Sequence, residues 1–214
     1  VDNELGVAGG LIVAPAGEGS PHPALRVVVG DHPEPGAGSL AAATALGDVA
    51  DQVQPDDHVW VLLSGGTTSL IGAPLEGIPH HDLRDLYSVL LGSGLDISAM
   101  NRVRKRFTRW GGGKLAASLG GASVRQFIVS DVIGDDLPSI GSGPCVPDAA
   151  TVAEVRLALE QAGLWQRLPG SLQALVRHTE DGTRPETPKP DHPAFASVLT
   201  EIVSSNRRAV EAAG

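Results

Sequence analysis

Three stretches of this 214-residue chain carry residue types suited to chemistry on an anion. The first is Ser64-Gly65-Gly66-Thr67-Thr68-Ser69, directly after the apolar run Val59–Leu63. Paired glycines permit a tight turn and close approach of a ligand to the backbone. Thr67, Thr68 or Ser69 can cap a following helix, whose free N–H groups and dipole favour negative charge. It is not a Walker A loop, lacking the second spaced Gly and the Lys-Ser/Thr pair. An ordinary turn between strand and helix is the alternative use of these residues.

The second stretch runs between Asp96 and Asp131, an interval with no acidic residue. It holds Arg102, Arg104, Lys105, Arg106, Arg109, Lys114 and Arg125, out of sixteen Lys and Arg in a chain of formal net charge −9. Arg102, Lys105, Arg106 and Arg109 fall at i, i+3, i+4 and i+7, one helical face, and Arg104 points elsewhere. Such a concentration of like charge suits an anionic ligand, with a solvated basic face as the alternative.

The third is Ser130-Asp131-Val132-Ile133-Gly134-Asp135-Asp136, after Val124–Val129, which reads as a buried strand. Asp131 at a strand tip can act as general base toward a hydroxyl. Asp135 and Asp136 can hold Mg²⁺, or simply cap a turn. His32, in the loop Asp31–Ser39 after the run Leu25–Val29, can touch the same ligand or lie on the surface.

These residues require a scaffold that brings three loops together. Short strand candidates at Leu11–Ala14, Leu25–Val29, Val59–Leu63 and Val124–Val129 alternate with helical patterns at Leu40–Val53, Leu83–Leu91 and Ala150–Ala162. Runs of this kind predict strands buried on both faces. The alternation predicts an α/β fold, a Rossmann-like parallel sheet with helices on both faces. The carboxyl ends of such strands share one edge, where ligands bind. Ser39 and Asp148 are expected to cap helices, and Ser204-Ser205-Asn206 to cap a last helix near Arg207. A turn-rich loop is expected over Gly17–Pro23 and a short helix over Leu172–Val176. Residues 179–193 read as a proline-rich linker or excursion.

Composition narrows the function. Acidic balance and 3% aromatics disfavour nucleic acid as partner. The single cysteine, Cys145, fits a reducing, cytoplasmic setting and reads as structural. No apolar run approaches the length of a membrane span. His80-His81 lacks further soft ligands nearby, which disfavours zinc.

Four segments, in order, resemble the glycerate 2-kinase family. They are Gly30–Pro35 with Ser39; Leu63–Ser69; Met100–Lys105 with Gly112-Gly113-Lys114-Leu115-Ala116; and Ser130–Asp136 through Ser142-Gly143-Pro144 and Val146-Pro147-Asp148. Ser204-Ser205-Asn206-Arg207 resembles the crossing from that family's first domain to its second. The resemblance implies transfer of the ATP γ-phosphoryl group to the 2-hydroxyl of D-glycerate with Mg²⁺. It implies that Ser64, Gly65, Gly66, Thr67, His32 and Asn101 bind substrate or phosphate. Arg104 and Lys105 would neutralise charge, Asp131 would orient or deprotonate the hydroxyl, and Asp135 would assist the metal.

Gly111 stands where the family usually has Lys. The family's N-terminal Gly-Lys-Ala segment and its C-terminal MOFRL domain are not in the sequence. The chain does not begin with Met and ends within a helical pattern, so residues 1–214 are expected to be one α/β domain of a two-domain kinase. The family's cleft lies between the two domains, so the activity of this domain alone stays open. Some members carry the name hydroxypyruvate reductase, which makes an NAD(P)H-dependent reductase the rival enzyme. No Gly-x-Gly-x-x-Gly follows a strand here, which counts against it. A non-catalytic anion-binding domain is the other rival.

Overall fold

The structure, a computed structural model, describes residues 6–16 and 19–213. Gly17 and Glu18 of the expected Gly17–Pro23 loop, and the terminal Gly214, lie outside the described residues. The strands are β1 (Gly10–Ala14), β2 (Leu25–Val29), β3 (His58–Leu63), β4 (Ser123–Ser130) and β5 (Val198–Ser205). The helices are α1 (Ala37–Ala50), α2 (Thr67–Leu70), α3 (His80–Leu91), α4 (Ile97–Phe107), α5 (Lys114–Ser118), α6 (Val152–Gln161), α7 (Gly170–Glu180) and α8 (Asn206–Ala213). Every strand pairing is parallel: β1 with β2, and a second sheet in the order β3-β4-β5. This is the expected α/β class, parallel sheets flanked by helices.

Two large apolar clusters hold it, with a small third one of Leu63, Ile128 and Ile140. Leu83, Leu86 and Leu90 of α3 meet Val103 and Phe107 of α4, Val155 and Leu159 of α6, and Leu172 and Val176 of α7. Ala43 of α1, Leu115 and Ala116 of α5, Val124 of β4, Trp110 and Cys145 form the second, against the sheet. The Trp110 indole N–H donates to the Ala43 carbonyl at 3.0 Å. Burial pushes the Cys145 thiol up to about 12, in keeping with a structural role.

Val59–Leu63 is not buried on both faces. Trp60 is 53% and Leu62 72% exposed, on the sheet face that also carries Phe127, Val129 and Leu199. A run of five apolar residues hides the alternation that only packing reveals: Leu63 is buried, and Val59 and Val61 pack against the second cluster. The helix expected from Leu40 starts at Ala37, because Gly36 is its N-cap and Ser39 lies three residues inside. α6 is capped by Thr151, which exchanges hydrogen bonds with Glu154, and not by Asp148. The short helix expected at Leu172–Val176 extends over all of α7. Phe195–Ala213 resolves into β5 and α8, and Ser205 Oγ accepts from Arg208 N at 3.4 Å at their junction.

Candidate active site

The carboxyl ends of β2, β3 and β4 converge on the turn Ser64-Gly65-Gly66. Beyond β2, Asp31 and Ser39 lock the loop to the start of α1. The Asp31 N–H donates to Ser39 Oγ at 3.0 Å, and the Ser39 N–H donates to Asp31 Oδ2 at 2.9 Å. This anchoring sets His32 against Gly66. A β-carbon at Gly66 would lie 2.8 Å from His32 Cδ2 and 3.0 Å from its Nε2, and Gly66 itself has φ +83°. Beyond β4, the Asp131 carboxylate packs on Gly65 so closely that a β-carbon there would overlap it. Beyond β3, Thr67 Oγ1 donates to the Ser64 carbonyl at 2.7 Å, closing the turn.

Gly66, not a hydroxyl residue, is the N-cap of α2. The N–H groups of Gly65, Gly66, Thr67 and Thr68 donate to no acceptor among the described residues. The end of β1 lines a cavity of about 580 Å³ with Pro15, His32, Ser64, Gly65 and Leu70. It is a crevice of small-ligand size, apolar on one wall and rich in backbone donors on the other.

A second loop supports the turn. Gly141, Ser142 and Gly143 have φ of 57°, 64° and 60° in succession. The Ser142 hydroxyl lies 3.1 Å from Thr68 Oγ1. Its carbonyl accepts the Gly112 N–H at 2.8 Å, and the Gly143 carbonyl accepts the Gly113 N–H at 2.8 Å. The glycine stretch after α4 is thereby tied to the loop that touches the turn at Gly65-Gly66.

The basic segment resolves into separate roles. α4 ends at Phe107 and Thr108 is extended, so Arg109 is off the helix, over the Trp110 ring at 4.7 Å. The four-residue helical face expected from spacing is therefore broken at its last member. Arg106, 3% exposed, lies 2.8 Å from Glu186 and 3.4 Å from Asp148. It is a structural cation. Lys105 Nζ is 3.7 Å from Asp148 Oδ1. Burial pulls the Lys105 pKa down, and the charges of Asp148 and Asp136 oppose this. The Arg104 guanidinium sits 4.5 Å over the Tyr87 ring, and its pKa is lowered by burial. Asn101 is buried on the same helix.

Asp135 is half-buried in a left-handed conformation, φ 55°, with its N–H donating to the Val132 carbonyl at 3.1 Å. The neighbouring Asp136 accepts from Ser139 Oγ at 2.5 Å. Among the described residues no group of three or more His, Cys, Asp or Glu could hold a metal. One or two carboxylates completed by phosphate oxygens and water is the usual donor set for Mg²⁺, and Asp135 fits that chemistry.

Asp148 is the residue whose role the sequence concealed. It is buried and faces Lys105 and Arg106, accepts Thr187 Oγ1 at 2.9 Å, and gives its N–H to the Pro188 carbonyl at 3.0 Å. Within the stretch 179–193, Glu186, Thr187 and Lys189 therefore close over the base of α4. One sequence signal did exist: seven cations without an acid among them need counter-charge from another segment.

Comparison with known proteins now bears on this geometry. Residues 1–177 match a domain of unknown function, DUF4147. The chain is 33% identical over 212 residues to glycerate 2-kinase of Pyrococcus horikoshii, covering 99% of this chain and 47% of that protein. The chain belongs to the glycerate kinase family. The crystal structure of the PH0495 protein of Pyrococcus horikoshii superposes on this glycerate kinase family domain with a TM-score of 0.89 at 33% identity, covering 97% of this chain and 47% of that one. Glycerate kinase of Thermotoga maritima superposes with a TM-score of 0.83 at 30% identity, covering 94% and 46%. The chain thus spans less than half the length of these relatives. No helix among the described residues is long and apolar enough to cross a membrane.

Proposed function

We propose that the protein containing this domain transfers the γ-phosphoryl group of ATP to the 2-hydroxyl of D-glycerate, giving 2-phosphoglycerate and ADP. The observation that carries the reading is the packing of His32 and Asp131 on the two glycines of an amide-rich turn. Kinase-named relatives over nearly the whole chain support it.

Phosphoryl transfer needs positioning and charge neutralisation more than covalent chemistry from the protein. Ser64, Gly65, Gly66 and Thr67 present N–H and hydroxyl donors to phosphate or to the glycerate carboxylate, with His32 beside Gly66 and Asn101 contributing an amide. Asp131 accepts the hydroxyl proton as that oxygen bonds to phosphorus and the bond to the β-phosphate oxygen breaks. Lys105, and Arg104 held over Tyr87, supply positive charge from α4. Mg²⁺, held in part by Asp135, would offset the charge of the phosphates. The C-terminal part of the protein, absent from this chain, closes the cleft from the other side.

The test is ADP release by the full-length protein with D-glycerate, ATP and Mg²⁺, beside a parallel run with hydroxypyruvate and NADH. Glycerate-dependent ADP release, lost in Asp131→Asn with ATP binding retained, is expected. NADH consumption without ADP release would overturn the kinase reading. Unchanged turnover in Asp131→Asn would remove that residue from the mechanism.

A further inference from the structure

A second cavity, of about 370 Å³, lies between α7, the start of α5 and residues 184–188, and shares no lining residue with the crevice at the glycine turn. Its apolar wall includes Leu75, Leu175, Val176 and Pro185. Its polar wall is cationic: Arg106, Lys114 and Arg184 line it, with Glu186 the one acidic side chain.

Glu186 is already engaged by Arg106 and Lys189. Lys114 and Arg184 pair with no carboxylate among the described residues; Lys114 Nζ donates to the Lys105 carbonyl at 2.6 Å, and Arg184 Nη2 to the Glu76 carbonyl at 3.3 Å. Arg106, almost wholly buried, keeps an Nε with no hydrogen-bond partner. Burial is the main cause that pulls the Lys114 pKa down to about 7; the Asp148 charge opposes it, and the positive charges of Arg106, Lys105 and Arg184 add to it. An anion among these groups would relieve that repulsion.

We propose that this cavity binds a small monocarboxylate with a short apolar body, its carboxylate between Lys114 and Arg184 and its tail against Leu175 and Val176. Two basic side chains with no carboxylate in ion-pair contact select a carboxylate, and the hydrocarbon wall selects the tail. The site is separate from the catalytic reading and stands without it.

The test is isothermal titration calorimetry of the full-length protein with butyrate. Saturable one-to-one binding is expected, weakened tenfold or more in Lys114→Met and in Arg184→Met. n-Butanol, with the same tail and no charge, is expected to bind at least tenfold more weakly. Absence of saturable butyrate binding, equal affinity for butanol, or unchanged affinity in the variants overturns the proposal. Should Lys114→Met fail to fold, Arg184→Met, at a partly exposed position, decides alone.

Discussion

The Asp131 carboxylate rests on the bare Cα of Gly65, in space that any other side chain would occupy. The contact joins the tips of two adjacent parallel strands, so the general-base candidate is aimed by a missing methyl group. Gly65→Ala is expected to push the carboxylate aside. The carboxylate is the free end of an exposed side chain, so unfolding free energy changes by about 1 kcal/mol or less. Glycerate-dependent turnover is expected to fall at least tenfold, since misplaced catalytic groups lose rate steeply. Steady-state kinetics beside urea unfolding checks both halves.

Glu186 gives the fold an acid limit. Burial works to raise its pKa, but hydrogen bonds from Lys189, Arg106 and the Val152 N–H outweigh it and hold the carboxyl at about 2. A depressed folded-state value stabilises the protein above the ordinary carboxylate pKa of about 4.5, and the gain is lost as pH falls from there toward 2. Solvent access at this carboxylate keeps the contribution to roughly 1–2 kcal/mol. Glu186→Gln is expected to flatten the dependence of Tm on pH between those limits and to lower Tm at neutral pH.

Ser142 separates strain from bonding. A residue with a β-carbon at φ 64° costs roughly 1 kcal/mol relative to glycine, and a buried hydroxyl bond contributes about the same. Ser142→Ala keeps the strain and loses the bond to Thr68, so a loss of about 1 kcal/mol is expected. Ser142→Gly loses both and is expected to be near neutral. Chemical denaturation of the two variants distinguishes them.

Cys145 is expected to resist iodoacetamide at pH 8 in the folded protein and to react once it is unfolded, because burial holds the thiol protonated. Rapid labelling of the native state would contradict the packing in the second cluster.

The sequence exposed the parts of the fold written locally. β2 and β4 are rich in β-branched and other apolar residues, the glycine turn follows its strand directly, and Asp131 stands at a strand tip, so each could be placed from a few neighbouring residues. β5 was obscured because Thr200 and Glu201 interrupt its apolar pattern where the sheet face is open. Asp148 was read as a helix cap because its partners, Lys105, Arg106 and Thr187, lie about forty residues away on either side. Arg106 looked ligand-directed for the same reason: Asp148 and Glu186, which neutralise it, belong to segments that meet it only after folding. The openness of Trp60 and Leu62 was hidden because an uninterrupted apolar run carries no sign of which side is covered.

The order of strands in the larger sheet has a consequence for how the chain is made. β4 (Ser123–Ser130) sits between β3 (His58–Leu63) and β5 (Val198–Ser205), so its second neighbour leaves the ribosome only after residues 131–197 have been made. Through synthesis of the intervening residues, the nascent chain presents the unpaired backbone of a hydrophobic strand, the condition under which edge-to-edge association competes with folding. Completion of the sheet is therefore timed by elongation, and the half-made domain is the form in which this chain most needs shielding.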